Sequence, residues 1–228
     1  MSTIGHIATK VPGSFRDNRG HVYQHDGHIY RSITPRAVAD YKVISQHPCI
    51  KGLVDNGWLI SWEELDPTLL GFAPSEISYL VEHPKIPFIS YPYEWSFLML
   101  KEAALFHLDL HLALMAEGLT LSDASAYNVQ FYGTRPQFID TLSLRPYREG
   151  EIWIGHSQFC EQFLNPLLLR VHLGVSHNAW FRGTQEGIST VDLAKLLPLR
   201  HCFSFRVFTH VVLQAKLHSR ALRRSNVN

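Results

Sequence analysis

The first ninety residues alternate between short β-type runs and one or two helical ones, and the rest is dominated by the helical period. HVYQHDGHIYRSI (21–33) places Val22, Tyr23, Ile29, Tyr30 and Ile33 around Asp26-Gly27. That pattern predicts a β-hairpin, because a two-residue type I′ turn needs positive φ and glycine accepts it without strain. AVADYKVISQH (37–47), just past Pro35, has helical spacing. KGLVDNGWLISWEEL (51–65) predicts a second short helix, a stop at Asn56-Gly57, then a strand. Between Pro67 and Pro92 five prolines predict loops around one short strand, IPFISY (86–91).

The strongest helical pattern is WSFLMLKEAALFHLDLHLALMAEG (95–118). It has no internal proline or glycine, few β-branched residues, and Gly118 as a natural stop. Phe97, Leu100, Ala104, Leu108, Leu112 and Met115 form its expected buried stripe, and aliphatic residues on both faces predict a central position. NVQFY (128–132) and QFIDTL (137–142) predict a hairpin around Gly133–Pro136. Residues 156–174, 191–202 and 204–225 read as helical, with Pro166 and Pro198 expected to kink or divide them, and the last helix ends in a basic HSRALRR segment suited to a helix C-terminus. The predicted layout is α+β: a flexible lead-in (1–14), a small mixed α/β lobe (15–90) and a mainly helical lobe (91–228).

Composition narrows the function classes. The 228 residues are 46% hydrophobic and 18% charged, enough to bury a sizeable core, and the net charge is +1. A balance so close to neutral gives no electrostatic reason to expect nucleic acid or an anionic membrane as partner. Cys49, Cys160 and Cys202 are odd in number, and none forms a CxxC pair, which argues against a disulfide framework or zinc knuckle and for a reducing compartment. The N-terminus lacks a basic segment followed by an apolar run, and no uncharged apolar run reaches spanning length. A cytoplasmic protein without a membrane span is expected.

The chemistry concentrates in LSDASAYNVQFYGTRPQFIDTLSL (121–144), where Asp123, Asn128 and Asp140 sit at intervals of five and twelve around the predicted hairpin. A long helix, a D-x-x-x-x-N loop, a hairpin and an apolar-apolar-Asp together resemble the catalytic segment of the protein-kinase-like fold, most closely small-molecule phosphotransferases of the aminoglycoside and choline kinase type. The resemblance implies ATP and Mg²⁺, with transfer to a small hydroxylated molecule or sugar. Asp123 is then the catalytic group that orients the acceptor or takes its proton, and Asn128 and Asp140 are the metal ligands, hard oxygens suited to magnesium. Arg31 is the nearest strand cation to the nucleotide-clamping lysine, with Lys42 and Lys51 as alternatives. Tyr93, in the Tyr91–Trp95 stretch, offers an aromatic face for an adenine or serves as a packed corner. The chain departs from the pattern in three places: Leu121 stands where a bracing histidine is common, no glycine-rich loop precedes the first hairpin, and Leu142 replaces the glycine of D-F-G. Without catalysis, Asp123 and Asn128 shape a surface turn and Asp140 opens a loop.

A second resemblance covers residues 15 to about 170. FRDNRGHVYQHDGHIYR, IPFISYPYEW, DASAYNVQF and FIDTLSL look like the N-terminal part of a bacterial family described as S-adenosylmethionine-dependent methyltransferases, which includes rhizobial host-specific nodulation proteins. No strand ends in a glycine-rich cofactor turn, so methyl transfer by this chain alone is not expected. The alternative function is then a non-catalytic binding module, recognising a glycan or a partner methyltransferase in nodulation or polysaccharide modification. Two further constellations carry less: His107 and His111 at i, i+4 without the glutamate of H-E-x-x-H, and Cys160 four residues after His156 without a third partner.

Overall fold

The computed structural model describes residues 8–11, 17–73, 75–202 and 204–217. The basic C-terminal segment from residue 218 onward lies outside the described residues. Contacts divide the chain into two compact units. The first comprises Met1–Ile89, Leu110–Ser122 and Phe131–Ile152; the second comprises Ser90–Asp109, Asp123–Gln130 and Trp153–Asn228. A small α/β part and a mainly helical part are therefore present, but the division is not a single cut near residue 90. Two later segments, Leu110–Ser122 and Phe131–Ile152, return to the first unit.

The first unit is built on an antiparallel sheet in the order β1-β2-β3-β5-β4. β1 (Thr9–Lys10) falls inside the expected lead-in and pairs with β2 (Val22–His25). β2 and β3 (His28–Ile33) form the expected hairpin, with Asp26 at φ 47 and Gly27 at φ 84, the positive pair that a type I′ turn requires. Helices α1 (Val38–Gln46) and α2 (Pro48–Asp55) follow, and α2 stops where Gly57 takes φ 72. β4 (Glu63–Leu65) and β5 (Tyr79–His83) complete the sheet.

β5 corrects one expectation. The strand of the proline-rich stretch is YLVEH, not IPFISY at 86–91, which is irregular. Leu80 and Val81 are buried while Phe88 is exposed, and Pro87 has no N–H to give a ladder. The pleat sends Tyr23, Tyr30 and Leu80 into one core with Leu70, Phe72 and Ile77. The opposite face carries Ile33 and Val81 against Ala37 and Tyr41 of the α1 region and Leu142.

Helix α3 (Phe97–Ala116) belongs to the second unit up to Asp109 and to the first from Leu110. Its buried face runs through Leu100, Ala103, Ala104, His107, Leu110, His111 and Leu114, whereas Leu98, Leu105 and Leu112 are exposed. Of the expected stripe, Leu100 and Ala104 are buried and Phe97, Leu108 and Met115 half-buried, but Leu112 faces solvent and two histidines take core positions. β6 (Leu119–Leu121) pairs with β9 (Leu144–Pro146), and β7 (Val129–Tyr132) with β8 (Arg135–Phe138). Phe138 is held to the first unit by main-chain bonds with Trp58 and Ile60. The predicted strand 137–142 ends there, and Thr141–Ser143 form a 3₁₀ turn instead.

The second unit is mainly helical. α4 (His156–Phe159) runs through a π-helical turn, Cys160–Leu164, into α5 (Asn165–Leu173), so Pro166 is carried within one continuous helical run. The widened turn before it is one of the ways a chain accommodates proline's missing donor. α6 (His177–Gly183), α7 (Thr190–Leu196), α8 (Leu199–Cys202) and α9 (Phe205–Val207) follow, and a core of Leu169, Ile188, Leu193, Leu197, Val207 and Val211 joins them. Among the described residues, no helix is long and apolar enough to cross a membrane.

Candidate functional site

Register decides which side chains meet in the first unit. Arg31 lies opposite Val81, and His83 lies opposite Ile29. Arg31 and His83 are therefore diagonal neighbours on the face that also carries Ile33 and Val81. Arg31 is 8% exposed, and its guanidinium reaches two carboxylates: Nη2 donates to Asp17 Oδ2 at 2.7 Å, and Nη1 lies 2.6 Å from Asp140 Oδ1. Asp17 sits in the segment leading into β2 and is fixed by accepting the Arg19 N–H at 2.8 Å. Asp140 follows β8, and its carbonyl accepts the Ser143 hydroxyl at 2.9 Å.

Burial alone works against the charge on Arg31. Asp140 and Asp17 outweigh it and hold the guanidinium protonated above its ordinary value. A second ion pair runs beside the first: Arg19 pairs with Asp40 of α1 and also donates to Ser122 Oγ at 3.3 Å. His83 donates from Nδ1 to the Ser61 carbonyl at 2.9 Å. Its burial drives the pKa down to about 4, the Ser61 bond opposing and Arg31 assisting.

The D-x-x-x-x-N loop lies in the second unit. Asp123 Oδ1 accepts the Ser125 N–H at 2.7 Å, an Asx turn. Ser125 caps a 3₁₀ turn, Ala126–Asn128, which ends on Asn128. The loop is braced from the helical run: Gln158 Oε1 accepts the Ala124 N–H, and Gln162 Oε1 accepts the Ala126 N–H, each at 2.8 Å. Both glutamines are functional candidates that sequence reasoning missed. Their signal was a pair of amides four residues apart, one helical turn, on a single helical run. Asn128 Nδ2 and the Tyr127 hydroxyl are buried without a hydrogen-bond partner, and burial pushes Tyr127 up to about 12.

Tyr93 also lies in the second unit, stacked on Tyr91 with centroids 5.3 Å apart and planes 12° apart. Tyr91 in turn lies 6.4 Å from Tyr127, and Asn178 Nδ2 donates to the Tyr93 carbonyl at 2.8 Å. Thus the structure brings Arg31 and Asp140 into direct contact, while Asp123, Asn128 and Tyr93 belong to the other unit. Lys42 and Lys51, the alternatives to Arg31, lie on α1 and α2 and are exposed. His111 Nε2 is 3.0 Å from Thr120 Oγ1, and His107 is enclosed by Trp153, Phe159 and Phe163. These are core histidines. Cys160 lies 3.7 Å from His156, but burial raises its thiol to about 11, the opposite of an activated nucleophile.

The element order is a five-stranded antiparallel sheet with helices after its third strand, then a long helix, a polar loop, a hairpin and an aspartate. That order is the mixed α+β arrangement expected. No family model matches the chain. Over 219 residues it is 46% identical to Nodulation protein NoeA of Rhizobium meliloti strain 1021. The match takes in 96% of this chain and 46% of that protein, so the chain spans about half the length of the curated relative it matches. Among solved structures it is similar to "Structure of vaccinia related kinase 3", with a TM-score of 0.47 and 10% identity, over 82% of this chain and 75% of that one.

Proposed function

We propose that this chain is a kinase-like binding module of a nodulation-type protein, with its nucleotide-clamping position satisfied internally. One observation carries the reading: the Arg31 guanidinium is bracketed by Asp17 and Asp140. A protein kinase needs its third-strand lysine paired with a glutamate of the following helix, and its hairpin aspartate on magnesium. Here the third strand presents an arginine, the aspartate after the hairpin is spent on that arginine, and the acid of the following helix, Asp40, is taken by Arg19. Binding Mg²⁺ at Asp140 requires breaking a nearly buried ion pair, and removing one partner of such a pair costs about 3–5 kcal/mol. The module is read as recognising a glycan or a methyltransferase partner, a reading supported by its likeness to a nodulation protein.

The second reading is ATP- and Mg²⁺-dependent phosphoryl transfer to a small hydroxylated molecule. It is favoured by the braced Asp123 loop and by the buried, unpartnered amide of Asn128. Asn128 and Asp140 then hold the magnesium, whose charge neutralises the phosphates, and Asp123 holds the acceptor hydroxyl. The deciding experiment is thermal unfolding with Mg-ATP, Mg²⁺ alone and S-adenosylmethionine. The binding-module reading expects no stabilisation by any of them, whereas a site holding Mg-ATP at 100 times its Kd gains about 2.7 kcal/mol. A Mg-ATP stabilisation abolished in Asp140→Asn overturns the first reading in favour of the second.

A further inference from the structure

Helix α3 reads FLMLKEAALFHLDLHLALMA, with leucines on every side. A helix that is apolar all round is ordinarily buried all round. One side of α3 is not. Leu98, Leu105 and Leu112 are 65%, 45% and 67% exposed, while Leu100, Leu110 and Leu114 are fully buried.

The three exposed leucines are spaced seven residues apart. Seven residues fall short of two full turns by about 20°, so the leucines stand in one line. At about 1.5 Å per residue that line is about 21 Å long, and it lies on a single continuous helix that fixes its geometry. A single exposed leucine needs no partner, but an apolar line rimmed by charge marks an interaction surface. The rim here is ordered. Lys101 lies four residues before Leu105 and Asp109 four residues after it, on opposite flanks of the line and about 40° from it. Both are exposed, and among the described residues neither is in an ion pair.

We propose that α3 pairs antiparallel with α3 of a second copy of this chain, about a two-fold axis beside Leu105. That axis sets Leu105 against the partner's Leu105 and brings Leu98 level with the partner's Leu112. It also brings Lys101 level with the partner's Asp109, and by symmetry does so twice. Glu102, the remaining charge on this stretch, comes level with the partner's Leu108, so no like charges are opposed. A parallel pair in register sets lysine against lysine and aspartate against aspartate, which charge repulsion disfavours. Opposite charges mirrored about a central leucine are what an isologous contact requires, since the same patch must complement itself. A foreign partner places no such demand on the sequence. The seam is short, below the roughly 1,200 Å² of total buried area at which stable interfaces begin, so the association is weak and depends on concentration.

The test is sedimentation equilibrium of the 228-residue chain at neutral pH and low salt, from about 1 to 500 μM. The parent is expected to pass from monomer to dimer within that range. Leu105→Glu, an exposed substitution, is expected to weaken dimerisation at least tenfold, at about 1.4 kcal/mol per tenfold, with the circular dichroism spectrum and Tm of the monomer retained. Lys101→Asp and Asp109→Lys each bring like charges level at two places, so each weakens the dimer, by about tenfold. Combined, they exchange the charges and restore the parent's affinity, which a structural role for either residue would not do. A chain that stays monomeric at about 500 μM, a dimer indifferent to Leu105→Glu, or a double charge exchange no tighter than its single variants overturns the proposal.

Discussion

Asp140→Asn tests the bracket around Arg31 most directly. Asparagine keeps the shape and an acceptor oxygen but removes the charge. Uncompensated loss of one partner of a buried pair costs about 3–5 kcal/mol, and this sets the ceiling. Two features lower it. Arg31 retains Asp17 at 2.7 Å, and the Asp140 side chain is 17% exposed, so water softens the loss. About 2 kcal/mol is expected, a fall of roughly 4–8 °C in Tm at 2–4 °C per kcal/mol for a chain of this size. Asp17, 28% exposed, is worth less, about 1 kcal/mol for Asp17→Asn. The double variant leaves a 10%-exposed guanidinium with neither carboxylate, so its loss exceeds the sum of the singles by about 1 kcal/mol or more. Urea denaturation followed by tryptophan fluorescence reads all three, since the chain has five tryptophans. The bracket is refuted if each single variant costs under about 0.5 kcal/mol and the two simply add.

Three other outcomes follow from the same structure. His83 has a folded-state pKa of about 4 against 6.5, so between those values the unfolded chain binds more protons; its contribution is complete above about pH 6.5 and is lost as pH falls towards 4, by up to about 3 kcal/mol. Urea midpoints from pH 7 to 4.5 should therefore drop more steeply for the parent than for His83→Gln. Cys160, buried with its thiol raised to about 11, should resist iodoacetamide at pH 8 in the folded chain and react once urea unfolds it; rapid native labelling, located by mass spectrometry, contradicts the packing described. Gly20→Ala places a Cβ 2.0 Å from the Ser32 carbonyl oxygen, backbone that cannot step aside, so a loss above about 2 kcal/mol is expected from denaturation curves.

What could be read in advance was set by local chemistry. The hairpin at Asp26-Gly27 and the stop at Gly57 were legible because a positive φ needs glycine or a residue like it, whatever the tertiary context. The phase of α3 was legible only in part: Leu100 and Ala104 are buried as expected, Leu112 is not. Leucines occupy both its faces, so hydrophobic spacing alone could not choose between Leu112 and the His107–His111 line; the rings around His107 and the Thr120 hydroxyl beside His111 chose the histidines. The strand between the prolines was missed for a related reason: IPFISY and YLVEH are both β-formers, and only pairing with β3 selects the second. In the site, the identities of Arg31 and Asp140 were legible but their direct contact was not. Asp17, 14 residues from Arg31 and 123 from Asp140 in sequence, carried no motif at all.

The arginine at position 31 and its two carboxylates depend on one another. A lysine at position 31 is a single-point donor on a flexible stem, and burial pulls its pKa down unless one strong partner opposes it. An arginine stays charged when buried and presents donors on a planar fork, so it can serve two carboxylates at once, as Arg31 serves Asp17 and Asp140 at 2.7 and 2.6 Å. Once that fork is present, an acid in the segment before β2 becomes favourable, where a glycine-rich loop would leave room for phosphates. The acid of α1, Asp40, is paired with Arg19 instead. Arginine on the strand and the aspartates before β2 and after β8 form one electrostatic unit, in which the fork keeps both carboxylates paired.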